Sequence, residues 1–326
     1  ERLNIFIGVG ADVEAILNKI LVSTKGEVFS RVEQISHSVS IEDTNTKAYC
    51  HMLKIDANGN LRLNDLIDYI YTRLIDYAIP RKEIEEAILY STETGSVAKI
   101  AALQTKAQRL FTNIGNTGEG GELLLYILTT EVLRLPQLIS KMSLKTSTQM
   151  YYHGADGIHV GFDIENGNMH LYWGESKMYS SLSDAISNCV ESLKGFLLDP
   201  MGADSVQERD LHLITSSISS NINDEESENL LVRFFNKDDD FSNNVIYKGI
   251  CFIGFDSNKY PSGDDLSQTT ELLKSEFESQ LKEWYSKVNK GVCKYPNLKQ
   301  KEIHVFLMPF PSVEDFRKRF LERVRP

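Results

Sequence analysis

Apolar and polar residues alternate most regularly on either side of an Asn-Gly pair at residues 166 and 167. The alternating runs cover residues 153–164 and 169–177. Asn-Gly between two such runs is the strongest short-range signal for a β-hairpin, because both loop positions of a type I′ turn need a positive φ. We therefore predict two antiparallel strands joined by a two-residue loop, in which residue i faces residue 333 − i.

This register places apolar pairs along one face of the hairpin and polar residues at its far end. The predicted pairs are Ile164 with Met169, Phe162 with Leu171, Val160 with Trp173, Ile158 with Glu175, and Asp156 with Lys177. Cross-strand partners lie about 5 Å apart at Cβ, and diagonal partners about 7–8 Å. Asp156, Glu175 and Lys177 should therefore converge on one small volume, beside which Gly154 and Gly174 leave space.

The remaining hydrophobic patterns predict an α/β protein with a mixed central sheet flanked by helices. Further strands are predicted near residues 29–40, 47–56, 138–145, 245–256 and 302–310. Helices are predicted over residues 61–79, 81–90, 96–111, 122–135, about 180–198, 205–219, 225–235, 265–288 and 313–324. The last strands and helices either extend the same sheet or form a lid.

We divide the chain into an N-terminal α+β region and a larger second domain. Residues 1–95 carry no recognisable chemistry, so they are expected to pack on the rest or to contact a partner. Residues 96–326 contain the hairpin, with a C-terminal α/β extension.

Composition narrows the classes of protein to consider. No run approaches the ~18–20 apolar residues of a membrane span, and the first residues lack the basic n-region of a signal peptide. We therefore expect no signal peptide, no membrane contact and a cytoplasmic protein. The four cysteines are far apart, which disfavours a zinc site. A formal charge of −11 argues against nucleic-acid binding over the whole surface.

The local distribution of charge softens that last objection. The two longest stretches without an acidic residue, 94–118 and 132–155, lie on either side of residue 122 and close to the hairpin. The second stretch contains Lys141 and Lys145. Uneven solvated charge explains this pattern as well as a phosphate-binding surface does.

A glycine-rich segment, residues 113–122, leads into the predicted helix that begins at Glu122. Glycines let a backbone approach a ligand closely, although they also simply form turns. The segment lacks the Gly-Lys-Ser/Thr ending of a P-loop, so we expect no bound nucleotide cofactor. Glu122 in the first helical turn is either a dipole-favoured acid or a functional carboxylate, and Glu119 is the alternative.

The arrangement of Asp156, a spacer, and Glu175-Ser176-Lys177 resembles the active site of the PD-(D/E)xK nuclease superfamily. Residues 121–125, 141–145, 154–157 and 174–177 together resemble HamA, the family of nuclease subunits of the Hachiman anti-phage defence system. The convincing part of this resemblance covers roughly residues 110–180. It implies a restriction-endonuclease-like core and metal-dependent hydrolysis of DNA.

The resemblance also assigns roles to residues. It implies that Asp156 and Glu175 bind Mg²⁺, for which Mn²⁺ substitutes, with the Ser176 carbonyl and a helix carboxylate, Glu122 or Glu119, as further ligands. Lys177 would position water or stabilise charge. Further roles are expected for Lys141 and Lys145, which would contact DNA phosphates. His153 would contact the metal ligands and not the metal itself.

Two further expectations concern partners and alternatives. Hachiman nucleases act with a helicase subunit, so a HamB-like helicase is the expected partner. An ordinary cross-strand salt bridge would also explain Asp156, Glu175 and Lys177. The alternative function is a catalytically silent subunit of the same fold that senses nucleic acid or binds a partner.

Overall fold

The computed structural model describes residues 2–112, 118–140, 142, 154–198, 206–261 and 268–325. Seven strands form one mixed sheet in these residues, in the order β1-β2-β7-β6-β5-β4-β3. The strands are β1 (Val32–Ser40), β2 (Thr46–Leu53), β3 (Gln137–Ser140), β4 (Gly157–Asp163), β5 (Asn168–Tyr179), β6 (Val245–Asp256) and β7 (Ile303–Phe310). The three central junctions, β2–β7, β7–β6 and β6–β5, are parallel, and the outer ones are antiparallel.

Helices flank this sheet, as the sequence predicted, although the helix over residues 2–20 was missed by that prediction. They are α1 (Arg2–Ile20), α2 (Leu63–Thr72), α3 (Leu74–Ala78), α4 (Arg81–Thr94), α5 (Ala98–Thr112), α6 (Glu119–Leu128), α7 (Leu182–Leu197), α8 (Val206–Asn221), α9 (Glu225–Phe235), α10 (Thr270–Glu278), α11 (Leu281–Cys293) and α12 (Val313–Val324). Several begin at a side-chain cap: the Ser181 hydroxyl accepts from the Asp184 N–H, and the Ser312 hydroxyl accepts from the Asp315 N–H.

Some helix boundaries differ from the prediction. The predicted helix over residues 61–79 is interrupted at Arg73, and the one over 265–288 appears as α10 and α11. Helix α6 begins at Glu119 and continues as a π-helical turn, Thr129–Leu133, which ends at Arg134 in the left-handed conformation. The amphipathic signal gives the existence of a helix more reliably than its ends.

The C-terminal strands extend the same sheet, and they also connect its two halves. Strand β7 lies between β2 and β6, so strands from residues 32–53 and 245–310 belong to one layer. All eight residues of β7 are buried. No helix in the described residues is both long and apolar enough to cross a bilayer.

The hairpin forms, but its predicted register was wrong by two residues. Asp163 pairs with Asn168, so the loop has four residues, 164–167, and paired residues sum to 331 rather than 333. Ile158 therefore faces Trp173, and Asp156 comes level with Glu175 rather than with Lys177. Because the shift is two residues and not one, every side chain keeps its predicted face.

Side-chain hydrogen bonds explain the longer loop. The Asp163 carboxylate accepts hydrogen bonds from the main-chain N–H groups of Glu165 and Asn166, at 3.1 and 3.2 Å. Gly167 has a positive φ of 67°, whereas the φ of Asn166 is not positive. A type I′ turn needs both, so a loop capped by Asp163 forms instead.

Candidate functional site

Asp156 lies where the β4–β5 ladder opens. The last ladder pair is Gly157 with Gly174, and the Asp156 N–H still donates to the Gly174 carbonyl at 2.9 Å. Two residues further along β5, the Ser176 N–H donates to Asp156 Oδ2 at 2.8 Å. The buried carboxylate of Asp156 therefore takes the place that a main-chain carbonyl holds in a regular ladder.

Glu175 and Lys177 lie on β5 beside this point, in the part of the strand that pairs with β6. Their side chains share one face because they are two residues apart on a strand. Lys177 Nζ donates to Glu175 Oε1 in a close ion pair. Glu175 is buried, while the Lys177 side chain keeps 24% of its surface exposed.

The pKa of Lys177 responds to the other two predicted site residues, Glu175 and Asp156. Burial by itself lowers the pKa of the ammonium, but the carboxylates of Glu175 and Asp156 outweigh it, so the pKa is raised above its ordinary value. Lys177 is therefore protonated at neutral pH. The structure thus brings Asp156, Glu175 and Lys177 together, as the sequence predicted.

Two helices hold β5 from opposite faces. Trp173 stacks on Phe196 of α7, with ring centroids 5.2 Å apart, so Glu175 and Lys177 share the α7 face. Ser176 faces α6, where a Cβ on Gly121 would lie 2.5 Å from Ser176 Oγ. The middle residue of the Glu-Ser-Lys sequence is thus packed tightly against the helix that carries Glu122.

The glycines at the start of α6 have a packing role. A Cβ on Gly120 would lie 2.8 Å from Phe316 Cε1 of α12, and one on Gly121 would collide with Ser176. Any larger residue would push α6 away from the sheet. These glycines therefore let α6 lie close to α12 and to β5. The sequence had suggested only turn formation or contact with a ligand.

Glu122 and Glu119 are both buried in the first turn of α6. Glu122 Oε2 accepts a hydrogen bond from the hydroxyl of Tyr77 at 3.2 Å. The same hydroxyl lies 3.2 Å from the Asp156 main-chain carbonyl. Burial first, then the charges of Glu122 and Asp156, raise the Tyr77 pKa well above its ordinary value, and Glu119 adds to this effect.

Tyr77 was missed by the sequence reasoning. It lies on α3, within residues 1–95, where a tyrosine among apolar residues looks like an ordinary core residue. No motif or spacing signals that its hydroxyl reaches Glu122 and Asp156, because the three residues are 34 or more positions apart in sequence. The N-terminal region therefore contributes directly to the site.

The donor set bears on metal binding. In the part of the chain described, no three Asp, Glu, His or Cys side chains form a ready-made metal-binding group. Mg²⁺, however, is usually held by one or two carboxylates, with water and substrate phosphate completing its shell. Asp156 and Glu175 supply such a pair, whereas the Ser176 hydroxyl faces α6 on the other side of β5 and does not belong to it. The residues present are thus of the kind that Mg²⁺ uses.

Three predicted residues, Lys141, Lys145 and His153, lie outside the described residues. Their expected contacts with DNA or with the site remain predictions.

Two cysteines lie directly under the Glu175 segment of β5. Cys251 pairs with Glu175 across the β5–β6 ladder, and the Cys189 thiol donates to the Glu175 carbonyl at 3.4 Å. The two sulfur atoms are 2.7 Å apart, and burial raises the Cys189 pKa well above its ordinary value. A thiol with a raised pKa is a poor nucleophile, so we assign Cys189 a structural role through its hydrogen bond to the Glu175 carbonyl.

Comparison with curated proteins gives no match. A family model described as HamA matches residues 29–324, a range that contains β1 to β7 and every residue of the candidate site. This match covers nearly the whole chain, and the chain therefore belongs to the HamA family.

Proposed function

We propose that this chain is a metal-dependent DNA nuclease of the PD-(D/E)xK type. Family membership implies a subunit of Hachiman anti-phage defence. The observation that carries the nuclease proposal is the convergence of Asp156, Glu175 and Lys177 at the open end of the hairpin. A surface salt bridge would not need two buried carboxylates, whose desolvation is costly unless cations offset it.

Asp156 and Glu175 would hold the metal ion, with Glu122 as the helix carboxylate beside Asp156. We choose Glu122 over Glu119 because the Tyr77 hydroxyl contacts both the Glu122 carboxylate and the main-chain carbonyl of Asp156. The main-chain carbonyl of Ser176, which lies between Glu175 and Lys177 on β5, is the expected further ligand. When bound, the ion lowers the pKa of a coordinated water and neutralises charge on the phosphate.

Lys177 acts as a cation in this proposal. Its raised pKa keeps it protonated, so it cannot serve as a general base at neutral pH. Its ammonium instead orients water or the scissile phosphate and offsets charge that develops there. Glu175, which now pairs with this ammonium, orients it toward the same volume.

DNA is the proposed substrate, and Lys141 and Lys145 are its proposed phosphate contacts. The net charge of −11 disfavours strong binding to free DNA by this chain alone. We therefore propose that a HamB-like helicase presents the DNA. Weak binding without the partner would also protect the host genome.

The first test is cleavage of plasmid and linear DNA by the purified chain in Mg²⁺ or Mn²⁺, with and without the helicase. The variants are Glu175→Gln and Lys177→Met. Lys248→Met is the matched control, because Lys248 is a buried lysine paired with a glutamate, Glu302, at 2.8 Å, on the same sheet outside the site.

Metal-dependent cutting that is lost in both site variants and kept in Lys248→Met is the expected result. Cutting that survives both changes would rule out the hairpin site. A wild-type chain that binds DNA with the helicase but cuts under no condition would favour the silent sensing subunit.

A further inference from the structure

Tyr77 extends from α3 into the space between α5 and α6. Its side chain is 2% exposed. Its ring lies against Tyr126 of α6 and Phe111 of α5, with centroids 5.5 and 6.2 Å apart. Packing on two sides leaves the ring one orientation, so its hydroxyl points to a defined place.

That place is the gap between α6 and the start of β4. The hydroxyl oxygen of Tyr77 lies 3.2 Å from Glu122 Oε2 and 3.2 Å from the Asp156 carbonyl oxygen. Its single proton can therefore be donated to either acceptor. Both distances are longer than the usual ~2.7–2.8 Å of an O–H···O bond, as expected when one proton is shared. Tyr77 therefore connects the carboxylate of Glu122 on α6 to the backbone of Asp156 at the end of the β4–β5 ladder.

We propose that Tyr77 is a positioning residue for the metal site, holding the Glu122 side chain in place next to the Asp156 backbone. This inference rests on the proposed nuclease function. Tyr77 touches neither metal nor DNA; it acts through Glu122 and the Asp156 backbone. Residues that hydrogen-bond to metal ligands fix the orientation of those ligands, and their loss typically costs about 10–100-fold in metal affinity.

A neighbouring tyrosine provides the matched control. Tyr126 belongs to the same aromatic cluster and is equally buried, at 2% exposed. Its hydroxyl, however, faces Arg73 Nη2 at 3.5 Å and no carboxylate of the site. Tyr126→Phe thus removes a buried hydroxyl from the same layer without changing the hydrogen bonds of Glu122 or Asp156.

The test measures Mn²⁺ binding to the full chain without DNA, by loss of the free-ion paramagnetic resonance signal. Tyr77→Phe is expected to bind Mn²⁺ about 10–100-fold more weakly than wild type. Tyr126→Phe is expected to bind Mn²⁺ as tightly as wild type. Adding Tyr77→Phe to Glu122→Gln should weaken binding no further. Excess Mn²⁺ should restore cutting to Tyr77→Phe.

Each other outcome gives a decision. Equal Mn²⁺ affinity in Tyr77→Phe and wild type, or an equal loss in Tyr126→Phe, overturns the positioning role and leaves the nuclease proposal standing. No Mn²⁺ binding by wild type overturns both. If Tyr77→Phe does not fold, recovery of folding with Glu122→Gln supports the coupling, and failure of both variants to fold overturns it.

Discussion

Asp156 Oδ2 accepts a hydrogen bond from the main-chain N–H of Ser176, at 2.8 Å, where the β4–β5 ladder ends. The side chain of a proposed metal ligand is therefore also a structural acceptor. Its second oxygen is the one that the proposed metal site needs. Stability and activity can be separated at this residue by choosing the substitution.

Asp156→Asn and Asp156→Ala should differ in stability but not in activity. Asn keeps an oxygen for the Ser176 N–H, whereas Ala leaves that buried N–H without an acceptor, which costs about 1–3 kcal/mol. Both remove the carboxylate charge, so both should abolish metal-dependent cutting. Urea unfolding and DNA cleavage measure the two effects. Equal stability of the two variants would show that the hydrogen bond contributes nothing.

Gly121→Ala should destabilise the protein and displace α6. The added Cβ would lie 2.5 Å from Ser176 Oγ and 3.0 Å from Met178 Sδ. Forcing an extra methyl group into a tight contact typically costs about 1–3 kcal/mol. Because α6 carries Glu122, we also expect weaker Mn²⁺ binding.

Gly118→Ala is the control for that substitution. Gly118 caps the same helix with a φ of −76°, and a Cβ there would meet nothing within 4 Å. Thermal unfolding should separate the two variants by several degrees. Equal effects would mean that the glycines serve the helix start and not its contact with β5.

Glu302, which lies outside the candidate site, should make the stability of the protein depend on pH. Hydrogen bonds from His304 first, and then from Lys248, lower its pKa from 4.5 to about 2. Its contribution to stability is therefore present above pH 4.5 and is lost as the pH falls through 2. Since a third of the side chain is exposed, solvent screening limits the contribution to about 1 kcal/mol.

The measurement compares urea unfolding of wild type and Glu302→Gln between pH 7 and 2. The difference in unfolding free energy should be constant above pH 5 and should shrink below it. Cutting at neutral pH should be unchanged. A difference that persists at pH 2 would contradict the assigned hydrogen bonds.

Thiol labelling should distinguish Cys293 from the other cysteines. Cys50, Cys189 and Cys251 are buried, whereas Cys293 is partly exposed. Burial also raises the pKa of Cys50 to about 11, which suppresses its thiolate at neutral pH. Mass spectrometry after brief alkylation should find Cys293 modified in the native protein, with the others protected until urea is added. Rapid native labelling of Cys189 would mean that β5 and α7 separate readily.

Much of this protein is determined by local sequence. The alternation around residues 154–177 predicts a hairpin and puts Asp156, Glu175 and Lys177 on one face. The apolar run Val245–Asp256 and the terminal helix Val313–Val324 appear with the predicted bounds. These features follow from side-chain periodicity within one element, which needs no knowledge of distant contacts.

The tertiary structure decided the rest. Strand β7 lies between β2 and β6, and Tyr77 reaches Glu122 and Asp156 from a region without any recognisable motif. Even the hairpin register depended on the Asp163 carboxylate capping its loop. Periodicity fixes which face of an element is apolar, but which other element covers that face is decided by packing between residues far apart in sequence.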